Sequence, residues 1–455
     1  MNVSVKSFST ICLCSGLLLT GLSFPTHGQD FWSPRHVVLD TYTEPVPFLC
    51  DGDLLLAYEL HITNMDRLPI SLASVDVLAD DSPTPAKAYS GEQLIGSLTR
   101  IRVEGQSDVV SEVMGGQRAI LHVLLSYTGK DALPSVLKHR IRYSFLKDDG
   151  SEVGATVEGG TIRVAQEREA VVIGAPLGEG IWLATRSVSR GLSGHRRGAI
   201  RPQNGIPYQK ARYAIDFAGF DSTGAAYHGS QAMNEKWVGY GAEVLAMADG
   251  RVVSIRDGLP DSQPFDTDRL KSLTGETLGG NVIVLDIGND LFAFYGHLQP
   301  GSIVVQEGDQ VCKGQVLGRV GNSGNSDAPH LHFQINRDIP IRGEAVPYVF
   351  EEYEHLGVCE SNWAFNTNTL FEEVADRTIT RLQTRSMGRI EAAGQEPPIV
   401  DALVSASIRS SMTQSASKAS APEWVLALRE GGEQRRLGMP GSNAVIRFRG
   451  TPRGR

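Results

Sequence analysis

Short apolar segments separated by turn residues dominate the chain, and this pattern predicts β structure. Between residues 30 and 170 the apolar segments include Leu54–Ile62, Ala119–Leu125 and Ile141–Phe145, with turn clusters such as Asp148-Asp149-Gly150 between them. Several short strands with this spacing are typical of a β-sandwich. No pattern of catalytic residues stands out here, so we interpret residues 30–170 as an accessory domain for binding or spacing.

A second β region is predicted over residues 175–360. Val244–Ala248 and Arg251–Ile255 flank Asp249-Gly250, a dipeptide that favours a two-residue hairpin turn. Gly288-Asn289-Asp290 separates two further apolar segments in the same way. We therefore expect an antiparallel β-sheet core in this part of the chain.

The pattern weakens after residue 360. Pro397-Pro398 and a segment rich in Ser, Thr, Ala and Gln at 403–422 predict a flexible insertion or linker over residues 361–435. Ala444–Phe448 is apolar enough for a final strand, followed by a basic tail, within 436–455. Residues 377–455 carry 13 Lys and Arg against 6 Asp and Glu. This basic region is either a solvated tail or a surface that docks on an anionic partner or on the acidic body of the protein.

The N-terminus has the layout of a secretory signal peptide. Lys6 precedes a largely apolar stretch from Phe8 to Phe24, and small residues follow before Gln29. Ser, Thr and Gly interrupt this stretch, which makes it a poor membrane span, although a retained anchor is the alternative. We predict that residues 1–28 are a signal peptide and that the mature chain is secreted or periplasmic, with no stable membrane span.

Composition narrows the protein class. The chain has 455 residues, 41% apolar residues and a formal net charge of -9. These values exclude a wholly disordered chain, a collagen and a polytopic membrane protein, and the acidic balance argues against nucleic-acid binding. Outside the predicted signal peptide only Cys50, Cys312 and Cys359 remain, and we assign no disulfide to them.

Three histidines in two short motifs carry the candidate chemistry. His330-Leu331-His332-Phe333 follows a glycine-containing loop, and His297 lies in Tyr295-Gly296-His297-Leu298. In a strand, His330 and His332 point to the same face, about 6.6 Å apart along the backbone, while Leu331 and Phe333 point into the core. Imidazole nitrogens are common zinc ligands, so this pattern indicates a metal or catalytic site.

These motifs resemble those of the lysostaphin/LytM-type (M23) zinc peptidases. The resemblance covers roughly residues 200–350 and is carried by His330-Leu331-His332-Phe333, Tyr295-Gly296-His297-Leu298, Tyr213-Ala214-Ile215-Asp216-Phe217 and Gly308–Gln315. It implies a mainly β fold with a LytM-like, duplicated-hybrid-motif-like antiparallel sheet. Such enzymes cut peptide cross-links of peptidoglycan, and several relatives lack catalysis and regulate other wall hydrolases.

The resemblance also implies roles for individual residues. Asp216 and His332 would be zinc ligands, and His297 and His330 would be catalytic, activating water and stabilising the oxyanion. The family places a further His ligand four residues before the Asp, but this chain has Arg212 there. A guanidinium has no lone pair for a metal, so Arg212 would weaken zinc binding and would either pair with Asp216 or lie solvated at a strand edge.

Three outcomes follow from the missing ligand. Another histidine replaces it, with His195 and His228 as the candidates; a weaker or different metal binds with extra water; or no metal binds and the groove only recognises peptide. The corresponding functions are a zinc endopeptidase acting on peptidoglycan peptides and a non-catalytic protein that binds wall peptide or activates a partner wall hydrolase. A biotinyl or lipoyl carrier is excluded, because the hairpin tip at Ala246–Gly250 has no Lys.

Overall fold

β-Strands carry most of the architecture. The computed structural model of the protein describes residues 37–100, 111–147, 149–188, 195–196, 200–203, 205–266, 268–337, 343–359, 371–375, 378–381, 433–439 and 443–449. The predicted signal peptide lies outside these residues. Within them, no helix is both long and apolar enough to cross a membrane.

The N-terminal strands form two antiparallel sheets. Their bounds are β1 (Val37–Asp40), β2 (Phe48–Cys50), β3 (Asp53–Asn64), β4 (Ile70–Ala79), β5 (Pro85–Ser90), β6 (Leu98–Arg100), β7 (Glu112–Val113), β8 (Arg118–Tyr127), β9 (Val136–Leu146) and β10 (Glu152–Arg163), with helix α1 at Gly91–Ser97. One sheet has the order β1-β3-β8-β6 with β2 on β3, and the other has the order β10-β9-β4-β5 with β7 on β4. Apolar side chains of both sheets fill one shared core. The predicted β-sandwich is confirmed.

The following strands build a larger sheet. They are β11 (Val171–Ile173), β12 (Gly180–Thr185), β13 (Ile200–Gln203), β14 (Ile206–Gln209), β15 (Ile215–Phe220), β16 (Glu243–Leu245), β17 (Gly250–Arg256), β18 (Asn281–Asp286), β19 (Leu291–Leu298), β20 (Gln310–Val311), β21 (Val316–Arg319), β22 (Leu331–Arg337), β23 (Tyr348–Cys359), β24 (Phe371–Ala375), β25 (Thr378–Arg381), β26 (Glu433–Gly438) and β27 (Ala444–Phe448). The order is β20-β17-β18-β19-β22-β15-β12-β27-β23-β24-β25, with β11 and β26 also on β23, and β13-β14 and β16-β21 form separate pairs. The pairings are antiparallel except that of β11 with β23, so the predicted antiparallel core is confirmed.

The hairpin predicted around Asp249-Gly250 is wrong. β16 pairs with β21, whereas β17 pairs with β18 and β20. The Asp249 carboxylate accepts a hydrogen bond from the backbone N–H of Lys313 at 2.7 Å instead of closing a tight turn. A Cβ at Gly250 would lie 2.7 Å from the carbonyl oxygen of Asp286, so this glycine permits close approach to β18.

Of three further predicted elements, two are confirmed and the third differs from the prediction. The hairpin around Gly288-Asn289-Asp290 is confirmed, because β18 pairs with β19 there and all three residues have positive φ. The final strand Ala444–Phe448 is also present, between β12 and β23. The segment 361–435, expected to be a flexible insertion or linker, contains the hairpin of β24 and β25 against β23; most of its other residues lie outside the described ones.

Strand β3 joins the sandwich to the larger sheet. Leu56, Tyr58 and Leu60 belong to the sandwich core, whereas Leu55 and Ala57 on the opposite face belong to the core beneath the larger sheet. Burying a leucine side chain contributes about 2 kcal/mol, so both faces of β3 favour this contact. Residues from His36 onward accordingly cluster as one compact unit.

A buried histidine makes the sandwich sensitive to acid. The His139 ring Nδ1 lies 2.9 Å from the carbonyl oxygen of Gly160, and its Nε2 lies 2.8 Å from the Tyr58 hydroxyl. Burial lowers the pKa of His139 to about 4. The unfolded chain takes up this proton below a pKa of about 6.5, so the free energy of unfolding falls as the pH drops from there toward 4.

Between pH 7 and pH 5, we expect the free energy of unfolding to fall by about 2 kcal/mol less in His139→Gln than in the wild type. The reason is that the folded and unfolded states of this variant no longer differ in proton uptake at this position. Urea unfolding followed by tryptophan fluorescence at the two pH values measures this. Tyr58→Phe, which loses the hydroxyl but keeps the imidazole, should retain the pH dependence. An unchanged pH dependence in His139→Gln would contradict the assignment.

Candidate metal centre

Four neighbouring strands place the candidate site residues in one row. Asp216 on β15 lies directly opposite His332 on β22 and opposite Thr185 on β12. His332 in turn lies opposite Gly296 on β19, next to His297. Directly opposed residues in antiparallel strands have Cβ atoms about 5 Å apart, so pairing alone brings the carboxylate and the imidazoles together.

Alternation along β22 turns its histidine toward this row. Leu331, Phe333 and Ile335 are fully buried in the core. His332 lies on the opposite face and is partly exposed, and His330 at the start of the strand points the same way. The predicted orientation of the His-Leu-His motif is thus present, because both imidazoles reach Asp216.

Asp216 is the centre of the cluster. Its carboxylate lies 2.9 Å from His332 Nδ1, 3.2 Å from His195 Nε2 and 3.6 Å from His330 Nε2. Burial by itself raises the pKa of this carboxyl group, but His195 and His330 outweigh that effect and hold the pKa well below its usual value. Asp216 is therefore an ionised carboxylate in a site from which water is largely excluded.

His195 supplies the third donor. Ligand atoms of His195, Asp216 and His332 all lie within 4.8 Å of one another, and the His195 and His332 rings meet edge to face with centroids 4.8 Å apart. Of the two candidate replacements for the missing ligand, the structure thus places His195 at the site. His228 is exposed and lies 2.9 Å from Asp221 instead.

Neighbouring amides fix the protonated nitrogen of His332. Gln334 Nε2 donates to the carbonyl oxygen of Lys210 and to Asn336 Oδ1, so Gln334 Oε1 is the atom that faces His332 Nε2 at 2.9 Å. The proton then resides on Nε2, and the lone pair of His332 Nδ1 faces Asp216 at 2.9 Å. In this neutral form the lone pair faces a carboxylate, and either a metal cation or a second proton on Nδ1 would satisfy both atoms.

His195 also meets the requirements of a metal ligand. Its Nδ1 is buried and has no hydrogen-bond partner in the part of the chain that the structure describes. Burial lowers the pKa of His195, although Asp216 opposes the shift. A metal needs neutral imidazoles and an ionised carboxylate, and two nitrogens with one oxygen form a donor set that zinc accepts. The residues present therefore fit zinc.

His297 and His330 lie beside these donors. The Nδ1 atoms of His297 and His330 donate to the carbonyl oxygens of Ser323 and Ala328, each at 2.8 Å. Each Nε2 therefore carries a lone pair, and the two ring centroids are 4.8 Å apart. His297 has a φ of 63°, an uncommon backbone conformation for a residue with a side chain and one that concentrates at functional sites.

Arg212 occupies neither of its expected places. It is buried, and its Nη2 and Nε atoms lie 2.5 Å and 2.9 Å from Glu59 Oε2 on strand β3. Arg212 is therefore neither solvated nor paired with Asp216. The physical reason is that the sandwich covers this end of β15 and offers a carboxylate of its own.

Sequence reasoning missed three contributors to the site. Arg186 Nε lies 3.7 Å from Asp216 Oδ2, and no sequence signal marks this residue. Gln334 follows His332 by two residues in a strand, a spacing that was visible in the sequence. Glu59 is a lone acidic residue in the otherwise apolar segment Leu54–Leu60, which was also a visible signal.

Comparison with protein families assigns the region around the histidines. Residues 237–346 match the model described as peptidase family M23. This range contains His297, His330 and His332 but begins after His195 and Asp216. The matched region therefore includes one of the three donors, His332, whereas His195 and Asp216 precede it.

Individual proteins show the same similarity. Peptidoglycan DD-endopeptidase ShyA of Vibrio cholerae serotype O1 is 39% identical over 56 residues, which is 12% of this chain and 13% of ShyA. Murein hydrolase activator EnvC of Escherichia coli strain K12 is 34% identical over 126 residues, 26% of this chain and 24% of EnvC. The catalytic domain of the antimicrobial peptidase lysostaphin from Staphylococcus simulans is 27% identical, with 33% of this chain and 83% of that domain covered and a TM-score of 0.19. The chain thus spans about a quarter or less of the length of these two curated relatives.

We expect His195→Ala and His332→Ala each to weaken zinc binding by more than about 100-fold, since removal of a direct ligand costs more than removal of an outer partner. Competition with a chromophoric chelator measures the affinity, and elemental analysis gives the stoichiometry. His228→Ala, the other candidate ligand, serves as the control and should bind zinc like the wild type. Full zinc retention by His195→Ala would reject the third ligand.

Proposed function

The chain carries a domain of peptidase family M23, and from this premise we propose that the protein is an exported zinc endopeptidase that cuts peptide cross-links of peptidoglycan. Its metal would be held by His195, Asp216 and His332. The convergence of these three side chains carries the proposal, because it supplies a complete ligand set despite Arg212.

The number of protein ligands supports a catalytic centre over an inert one. Catalytic zinc sites keep three protein ligands and leave a further position for water or substrate. When bound, zinc lowers the pKa of water and polarises the carbonyl of the scissile peptide bond. His195 and His332 are each partly exposed at the mouth of the site while Asp216 is buried, an arrangement consistent with substrate access from one side.

His297 and His330 would act on the substrate beside the ligands. Burial, together with His330 and His332, holds the pKa of His297 well below its usual value, so its ring is neutral at neutral pH. With Nδ1 donating to Ser323, its Nε2 accepts a proton. His330, held through Nδ1 on Ala328, would stabilise the developing oxyanion once its ring carries a proton.

The substrate class follows from the relatives and from the N-terminus. ShyA is named as a peptidoglycan DD-endopeptidase, and the similarity of ShyA to this chain supports a wall peptide as substrate. The predicted signal peptide over residues 1–28 supports export to the periplasm or the cell exterior, where such a substrate resides.

An activator function is the second candidate, favoured by the 126 residues of similarity to murein hydrolase activator EnvC. In that case the groove would bind a partner wall hydrolase or wall peptide without cleavage. Metal chemistry separates the two, because an activator needs no zinc to work.

We expect the purified mature chain to cut the peptide cross-links of isolated peptidoglycan sacculi, to release soluble glycan–peptide fragments and to stop after chelation, with activity returning on addition of zinc. Liquid chromatography with mass spectrometry of the products measures this and identifies the cleaved bond. Release that occurs only with an added wall hydrolase, and that resists chelation, would overturn the endopeptidase proposal in favour of the activator.

Separate variants test the division of roles. His297→Ala and His330→Ala should retain about one zinc per chain and lose roughly 10²- to 10⁴-fold in turnover, the range for positioned acid–base groups. His332→Ala is the matched comparison and should lose both zinc and activity. Loss of zinc in all three variants would contradict a catalytic role for His297 and His330.

A further inference from the structure

A charged cluster lies where the sandwich meets the metal site. On strand β3, Leu55 and Ala57 pack against the core of the larger sheet, and Glu59 is the next residue on that face. Glu59 is buried, and its carboxylate contacts Arg212 at 2.5 Å, Arg196 at 3.0 Å and His122 at 3.6 Å. One carboxylate of the sandwich thus pairs with two guanidinium groups that come from outside it.

Residues of three strands contact Arg196. Its side chain has no exposed surface, and its Nη2 donates to Glu59 Oε1 at 3.0 Å and to the carbonyl oxygens of Tyr58 and Val123 at 3.2 Å and 3.3 Å. Its own carbonyl oxygen accepts a hydrogen bond from Gln209 Nε2. Side chain and backbone of this residue are therefore fixed by strands β3, β8 and β14.

The residue before Arg196 is the third candidate ligand, His195. Asp216 and His332 lie on paired strands of the larger sheet, so the sheet itself sets their separation. His195 lies on none of these strands. Its position against Asp216, at 3.2 Å, must therefore come from contacts of its own segment, and the side chain of the adjacent Arg196 makes its contacts with the sandwich.

We propose that Glu59 and Arg196 are positioning residues that hold His195 at the metal site, so that the N-terminal sandwich completes the metal centre. The inference rests on the proposed zinc function. It also explains Arg212: this residue pairs with the same carboxylate and closes the junction at the position where the family resemblance expects a ligand.

The chemistry of the cluster suits this task. Burial alone raises the pKa of Glu59, but Arg212, His122 and Arg196 outweigh it and hold the pKa well below its usual value, so the carboxylate stays ionised. The guanidinium of Arg196 spreads its donors over a rigid plane, which fixes direction as well as distance. A neutral or flexible side chain in place of Arg196 does not fix this direction.

The test compares two ion pairs of the full mature chain, each made to a buried carboxylate. Arg196→Gln should lower zinc affinity by about 10- to 100-fold, the range for loss of an outer partner of a metal ligand. Arg447→Gln is the matched control, since Arg447 lies 3.0 Å from the buried Glu354, the same separation as Arg196 from Glu59. Arg447 pairs with Ile181, at the end of β12 away from the site, so its loss should leave zinc affinity within about twofold.

The visible spectrum of Co²⁺ bound in place of zinc is a readout that a general loss of stability does not change. Arg196→Gln should alter the visible spectrum of bound Co²⁺, because the His195 ligand shifts, whereas Arg447→Gln should keep the wild-type spectrum at a comparable melting temperature. An unchanged spectrum and affinity in Arg196→Gln, or equal zinc losses in both variants, would overturn the proposal.

A double-mutant cycle covers the case in which Arg196→Gln folds poorly. Arg196→Lys retains the charge and should lose less zinc affinity than Arg196→Gln, and either substitution should have no further effect in the His195→Ala background. Additive losses would overturn the positioning role. If the wild type itself binds no zinc, or if His332→Ala binds as well as the wild type, the zinc function fails instead, so the two failures are distinguishable.

Discussion

The site depends on one ionised carboxylate that is removed from water and surrounded by imidazoles. Positive charge has to compensate Asp216, and the Arg186 guanidinium and three imidazoles lie between 2.9 and 3.7 Å from its carboxylate. A cation shared by His195, Asp216 and His332 satisfies all three side chains at once. The rest of the site follows from this requirement, since β22 brings His332 to the carboxylate and His195 reaches it from outside the strands of the row.

A second buried carboxylate has the complementary function. Glu59 lies on a strand whose two faces are both buried, and it contacts two guanidinium groups as well as the imidazole of His122. Isolated charges in such a place cost several kcal/mol, so Glu59, Arg196 and Arg212 are stable only together. The sandwich and the larger sheet are thereby joined next to the candidate metal ligands.

The prediction of strands succeeded where side-chain alternation was decisive and failed where pairing was decided at a distance. The His-Leu-His motif points as expected because a strand turns alternate residues to opposite faces. The hairpin at Asp249-Gly250 does not form, because the Asp249 carboxylate binds the backbone N–H of Lys313, far along the chain. Such a contact leaves no periodic pattern, so a local turn signal was indistinguishable from it.

The sequence by itself determined the β architecture, the His-Leu-His motif and the conflict created by Arg212, since each depends on residue types at short spacing. Only the tertiary structure decided how that conflict is resolved. Whether His195 or His228 approaches Asp216 depends on which segment the sandwich anchors, and Arg212 pairs with Glu59 across 153 positions of sequence. Charges buried by distant strands select their partners through space, and local sequence carries no record of that choice.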